Sequence, residues 1–112
     1  MKAALPERTR GVCCAAPKPL STTEADRRVD LLKALADPTR LQMVGILKRA
    51  NDPVCICDFT ATFKLSQPTI SHHIARLREA GLVDVTKEGL WAYYRLRTSL
   101  DATTQAILET LV

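Results

Sequence analysis

Four cysteines carry the most distinctive chemistry in this chain. Cys13 and Cys14 are adjacent, and Cys55 and Cys57 are separated by one residue. Thiolates bind soft metal ions and metalloids, and neighbouring thiols can form reversible disulfides. The paired spacing therefore indicates soft-metal binding or redox sensing. Burial as a small hydrophobic residue is the competing interpretation for Cys57 taken alone.

The second cysteine pair poses a geometric problem if it lies within a helix. At about 100° per residue, side chains at i and i+2 point roughly 200° apart on an α-helix. They share a face only in extended chain. For Cys55 and Cys57 to bind one ion, we therefore expect the start of their helix to fray or extend.

The N-terminal segment bears on the compartment in which these thiols exist. Charged residues stand where a secretory signal needs its apolar stretch, and no run approaches the roughly 18 apolar residues of a membrane span. We therefore expect a cytoplasmic protein without membrane contact. Because stable disulfides are rare in the cytoplasm, the cysteines are expected as thiols.

A helix that follows Ser66 is the most strongly predicted element. Ser66 is a good N-cap, Pro68 suits the first turn, and Gly81 is typical of a helix end. Its apolar stripe at i, i+4 and i+7 consists of Ile70, Ile74 and Leu77. Its polar side resembles a helix that enters the major groove of DNA. The predicted contacts are Ser66, Gln67, Thr69, Ser71, His72 and Arg76.

The neighbouring segments complete a DNA-binding unit. Ile56, Phe59 and Phe63 predict a shorter helix just before the turn, and β-branched and aromatic runs at 82–86 and 90–96 predict a hairpin with residues 87–89 at its tip. Helix, turn, helix and hairpin together form a winged helix-turn-helix. The hairpin carries basic residues for backbone phosphates, namely Lys87, Arg95 and Arg97.

Three further helices are predicted around this unit. Ser21 and Glu24 form a capping box for the first, and Asp37 with Pro38 begins a second, apolar on most sides. Ser99 is the predicted cap of the last helix. In the first helix the core stripe is assigned to Ala25, Val29, Leu32 and Ala36. Leu31 and Leu35 there add apolar surface that suggests a dimer contact, and deeper burial within one subunit would explain this surface as well.

Length and charge fit one small DNA-binding domain. The chain has 112 residues, 46% of them hydrophobic, and a formal net charge of +4, which suits a polyanionic partner. Residues 1–20, rich in proline, are expected to form a flexible arm that carries the Cys13 and Cys14 pair. Residues 21–112 are expected to form a mainly α (α+β) winged helix-turn-helix domain of about five helices and a two-stranded wing.

An enzyme with a cysteine nucleophile and a histidine base is the alternative that we rank last. Both histidines, His72 and His73, lie in the predicted recognition helix, and the four glycines are isolated from one another. His72 is expected to contact DNA, and His73 to make a hydrogen bond at the edge of the core. We therefore predict a binding protein and not an enzyme.

Three stretches together resemble the ArsR/SmtB family of metal-responsive repressors: KALADPTRLQMVGIL, LSQPTISHHIARLREAGLV and KEGLWAYYRL. The resemblance covers roughly residues 21–112. It implies a winged-helix homodimer, paired through the first and last helices, that binds double-stranded operator DNA as an imperfect palindrome. It also implies that the dimer leaves DNA when it binds a metal or metalloid.

The resemblance extends to the inducer site. The segment Cys55-x-Cys57-Asp58 resembles the cysteine site of arsenic, cadmium and lead sensors, but Thr60 stands where arsenite-type members have a third cysteine. A third sulfur must come from Cys13 or Cys14, so all four cysteines are candidate ligands. As(III) or Sb(III) is the favoured inducer. Cd(II) or Pb(II), or a disulfide between an arm cysteine and Cys55, are the alternatives.

Overall fold

The computed structural model describes residues 4–11 and 16–112. Within these residues, five helices and three short strands follow one another in the order α1, α2, β1, α3, α4, β2, β3, α5. Their bounds are α1 Thr22–Leu35, α2 Pro38–Arg49, β1 Val54–Cys55, α3 Ile56–Phe63, α4 Gln67–Glu79, β2 Val83–Glu88, β3 Trp91–Leu96 and α5 Ala102–Leu111. The predicted winged helix-turn-helix architecture is confirmed.

Four of the helices have a short polar side chain as their N-cap. Ser21 and Asp37 accept the backbone N–H of Glu24 and Arg40, as predicted for α1 and α2. Ser66 caps α4 in the same way. For α5 the predicted cap was wrong, because Asp101 and not Ser99 accepts the N–H of Thr104, at 2.7 Å.

The packing of α1 differs from the predicted stripe. Its buried residues are Leu31, Ala34 and Leu35, whereas Val29 and Leu32 are 44% and 50% exposed. Both sets recur with the helical period, so only the position of the neighbouring helices decides which one enters the core. The dimer contact suggested for Leu31 and Leu35 is therefore wrong, because both are buried within one subunit, and the apolar surface that is left over is the Val29 and Leu32 side.

The core lies between α2, the helix-turn-helix and the base of the sheet. Met43 and Val44 of α2 are fully buried, as expected for the central helix. They pack in one cluster with Phe59, Ile70, Ile74, Leu77, Leu82, Val83 and Tyr94. Because three apolar side chains of α4 enter this cluster, its opposite face is fixed towards solvent.

Two left-handed backbone conformations set the angles at which the chain enters and leaves α4. Lys64, between α3 and α4, has a left-handed conformation with φ of 55°. At the other end, Gly81 has φ of 79°, its N–H donates to the Arg78 carbonyl at 2.9 Å, and the N–H of Leu82 donates to the Leu77 carbonyl at 3.1 Å. This Schellman motif turns the chain directly into β2.

The sheet has a third strand that was not predicted. Its order is β1-β3-β2, all antiparallel, with Val54 opposite Tyr94 and Cys55 opposite Tyr93. At the tip of the hairpin, the first strand is longer than expected and the second begins one residue later. Lys87 and Glu88 belong to β2, and only residues 89–90 form the loop.

The described part of the arm, residues 4–11 and 16–20, contains no helix or strand and is exposed. That it is flexible stays a prediction. Within the described ranges, no helix has the length and apolar character needed to cross a membrane.

Candidate DNA interface and thiol pair

The polar face of α4 is presented to solvent as a continuous surface. All six predicted contacts on this helix are exposed. Ile70 and Leu77 beneath them have no exposed surface, so the helix cannot roll without opening the core. A rigid helix with an exposed polar face and a free N-terminal end suits insertion into a groove of DNA.

The six residues divide into two groups. Ser66 accepts the N–H of Thr69 at 3.4 Å, and their hydroxyl oxygens are 2.9 Å apart, so both hydroxyls are used at the helix start. Within the described part of the chain, no hydrogen bond or ion pair engages the remaining four side chains. These are Gln67, Ser71, His72 and Arg76.

The two neighbouring histidines have different surroundings. His72 is exposed. The His73 side chain is 15% exposed, and its Nδ1 lies 3.4 Å from Arg40 Nη1 and 3.9 Å from Asp37 Oδ2. The Nε of the same arginine donates to the Ala34 carbonyl at 2.6 Å. The hydrogen bond predicted for His73 at the core edge is confirmed, and it ties α4 to the junction of α1 and α2.

The basic residues of the wing do not act as one group. Lys87 lies opposite Ala92, on the face that Tyr94 buries, whereas Arg95 lies opposite Asp84 on the other face. Arg97 donates to the Asp84 carboxylate at 3.2 Å. One surface of the wing therefore presents either Lys87 or Arg95, not both.

The Cys55 and Cys57 thiols already meet. The Sγ atoms are 2.8 Å apart, with Cys55 buried and Cys57 exposed. Of the two expected alternatives, a frayed or an extended helix start, the structure has the second, because Cys55 is the residue before α3 and has extended φ and ψ of −72° and 148°. An extended residue followed by a helical one places both thiols on the same side.

Local polar contacts hold this arrangement. The Asp58 carboxylate accepts the N–H of Cys55 at 3.1 Å, and the Thr60 hydroxyl donates to the Cys57 carbonyl at 2.9 Å. The hydrogen bond from Cys57 to Cys55 Sγ raises the pKa of the Cys57 thiol, and partial desolvation and the charge of Asp58 act in the same direction. Cys57 is therefore a protonated donor at neutral pH.

The donor set of this pair fits a soft, thiophilic ion in part. Two thiols in contact can bind one ion together. In the described ranges, however, no group of three or more cysteine, histidine, aspartate or glutamate side chains is arranged to hold a metal. The other two predicted ligands, Cys13 and Cys14, lie outside the described residues.

The close connection between the thiol pair and the wing was not predicted from the sequence. Cys55 is at once the last residue of β1, directly opposite Tyr93 of β3, and the N-cap of α3. Only Val54, a β-branched residue just after Pro53, indicated extended chain there. A two-residue strand is too short to show a period.

Comparisons with known proteins agree with this geometry. Residues 37–85 match the family described as "Bacterial regulatory protein, arsR family". The ArsR2 protein of Halobacterium salinarum is 37% identical over 99 residues, which cover 88% of this chain and 80% of that protein. The arsenical resistance operon repressor of Escherichia coli is 41% identical over 81 residues, covering 72% and 68% respectively.

A solved structure shows the same fold. HlyU from Vibrio cholerae superimposes with a TM-score of 0.69 at 31% identity, covering 81% of this chain and 94% of its own. The relatives are transcriptional regulators and not enzymes. With its exposed recognition helix and wing, this chain is a DNA-binding transcriptional repressor that belongs to the arsR family of bacterial regulatory proteins.

Proposed function

We propose that this repressor binds its operator as a homodimer and releases it on binding As(III) or Sb(III) through cysteine thiolates. The observation that carries the proposal is the 2.8 Å contact between Cys55 and Cys57 Sγ, at the start of the helix that leads into α4. The naming of similar proteins for arsenical resistance supports the choice of inducer.

The four cysteines have different roles in the proposed sensing. Cys57 is exposed and meets an incoming ion first, and Cys55 supplies the second sulfur. Cys13 and Cys14 supply the further sulfur when the arm closes on α3. The bound ion supplies only a cross-link between these thiolates. Closing the arm changes the position of the first turn of α3, where Asp58 holds the N–H of Cys55.

A small preference of the inducer for the released form over the DNA-bound form is sufficient for release. An inducer that lowers operator affinity a hundredfold must favour the released form by about 2.7 kcal/mol. A dimer that must place two α4 helices in successive half-sites is sensitive to small changes in the position of each.

An apolar groove between α1 and α5 supports the proposed dimer. Leu32 and Leu111 are 50% and 48% exposed in it, and the groove has a volume of about 600 Å³. A second copy of this chain covers such a groove with its own α1 and α5 and gives the twofold symmetry of a palindromic operator. The proposed partners are therefore a second copy and an imperfectly palindromic operator.

Release from DNA tests the proposal. A fluorescence-anisotropy titration of the DNA-bound protein, under reducing conditions, compares arsenite, cadmium and zinc on the wild type, on Cys57→Ser and on Cys13→Ser/Cys14→Ser. Arsenite is expected to release the wild type but neither variant. Each variant without inducer must bind DNA as the wild type does, which is the control for folding.

Other results would select another inducer. Release by cadmium alone would move the proposal to a Cd(II) or Pb(II) sensor with four thiolates. If none of the three ions releases DNA but peroxide does, the thiols act as a redox sensor in which two thiols and one peroxide give a disulfide and two waters. No release under any of these conditions would contradict cysteine-based sensing.

A further inference from the structure

Cys55 is buried by something other than the core. It is 6% exposed, yet it does not belong to the cluster of buried side chains formed by α1 to α5 and the sheet. Val54, the residue before it, packs against that cluster. Because successive side chains of a strand point to opposite faces, Cys55 points to the outer face of the sheet.

Tyr93 is the residue placed to cover it. Tyr93 lies directly opposite Cys55 on β3, and side chains of directly opposite residues share a face with Cβ atoms about 4.5–5.5 Å apart. Tyr94, the next residue, is 7% exposed and packs in the core, which leaves Tyr93 on the outer face. Tyr93 is itself only half-buried.

We infer that Tyr93 is part of the thiol site, where its ring covers Cys55 and must move before that sulfur can bind an ion. Cys57 is exposed and needs no such movement. Occupancy of the site is then transmitted to β3, and so to the wing, as well as to α3. This inference deepens the proposed function and rests on it only for the identity of the ion.

The reactivity of the Cys55 thiol tests, without any metal, whether the Tyr93 ring covers it. In full-length protein with Cys13→Ser, Cys14→Ser and Cys57→Ser, Cys55 is the remaining thiol, and its alkylation by iodoacetamide can be timed by mass spectrometry. Adding Tyr93→Ala should raise the rate at least about fivefold, because the sulfur no longer needs a local opening to react. Tyr93→Phe keeps the ring and should leave the rate within about twofold.

Trp91→Ala is the matched control. Trp91 lies on the same face of β3 but pairs with Glu88 near the tip of the hairpin, so its removal should not change the rate. Circular dichroism and operator binding must show that each variant is folded. An unchanged rate in folded Tyr93→Ala, or an equal increase in Trp91→Ala, would overturn the inference.

A second measurement leaves the tyrosine in place. The chain has two tyrosines, so fluorotyrosine labelling gives two fluorine resonances, which Tyr93→Phe assigns. Arsenite should move the Tyr93 resonance and leave that of buried Tyr94 nearly unchanged, and Cys57→Ser should abolish the effect.

The two measurements separate this inference from the proposed function. If arsenite releases DNA while the Tyr93 resonance stays fixed, the inference is wrong and the proposed function stands. If Tyr93→Ala raises the alkylation rate but arsenite neither binds nor releases DNA, the cover stands and the proposed function fails. If Tyr93→Ala does not fold, the response of the fluorine resonance decides alone.

Discussion

At the scale of single residues, the protonated state of Cys57 separates the candidate inducers. Its pKa is raised, first by the hydrogen bond to Cys55, so the thiol carries its proton at neutral pH. Arsenous acid exchanges hydroxide for thiol and releases water, which leaves no net proton. A cadmium ion instead displaces the thiol protons into solution.

The two inducers should therefore differ in their pH dependence. Between pH 6 and 8, as orders of magnitude in proton linkage, we expect cadmium affinity to rise about tenfold per pH unit for each proton displaced, and arsenite affinity to stay nearly constant. Isothermal titration calorimetry at several pH values measures both. A steep rise in arsenite affinity would show that its binding displaces protons, contrary to this exchange.

The adjacent histidines of α4 offer a matched pair of substitutions. His72→Ala should reduce discrimination between operator and unrelated DNA by about 1–3 kcal/mol, because the exposed side chain that we expect to contact a base is lost. The unfolding midpoint should hardly change. Competition binding with operator variants measures the discrimination.

His73→Ala should behave in the opposite way. Its ring contacts Arg40 at 3.4 Å and is largely buried, so its loss should lower stability before it alters base discrimination. If His72→Ala instead leaves discrimination intact and lowers stability, the exposed face of α4 is not the surface that recognises bases.

At the scale of elements, the two faces of the wing should contribute unequally to DNA binding. Lys87 is on β2, the strand that packs beside α4, whereas Arg95 lies opposite the Asp84 carboxylate. Lys87→Gln should weaken binding to all sequences alike and reduce the salt slope by about 1. Arg95→Gln should change neither, which makes it the control of matched charge.

Binding measured across a range of salt concentrations tests this difference. A reduced slope for Arg95→Gln with an unchanged slope for Lys87→Gln would mean that the wing presents its other face to DNA. Equal reductions of the salt slope in the two variants would mean that the wing does not bind DNA as a flat hairpin, with one face towards the DNA.

Elements with local signals were predictable from sequence, and elements defined by distant partners were not. Ser66, Pro68 and Gly81 mark the ends of α4 within the helix itself, and the structure confirms them. In α1, by contrast, two apolar stripes fit the same helical period, so sequence could not tell Leu31 from Leu32 as the buried residue.

The candidate site shows the same limit. The cysteines and the exposed face of α4 were found from residue type and spacing. The contact between the thiols depends on one extended residue before α3, and the link of Cys55 to the wing depends on a two-residue strand. Neither has a periodic signal, because each is set by the strand that lies beside it.

At the scale of the whole molecule, the groove between α1 and α5 makes a prediction about assembly. Leu32→Glu should convert the proposed dimer to monomer, because a charge buried against a second apolar surface is costly. Operator affinity should fall with it, since one half-site supplies only part of the contacts. Sedimentation and operator binding measure the two effects.

Leu90→Glu is the control for that substitution. Like Leu32, Leu90 is an exposed leucine, but it lies in the hairpin loop and away from the groove. It should leave the protein dimeric. A dimeric Leu32→Glu protein would place the interface between copies elsewhere.

The pairing of β1 with β3 also has a consequence for the order in which the protein folds. It joins residues about 40 positions apart, and both helices of the helix-turn-helix lie inside the loop it closes. On the ribosome, α3 and α4 emerge and can assemble by local contacts while β3 is still being synthesised. The cysteine of β1 therefore acquires its partner strand late, and each nascent chain passes through a stage in which this thiol is open to the cell's small molecules.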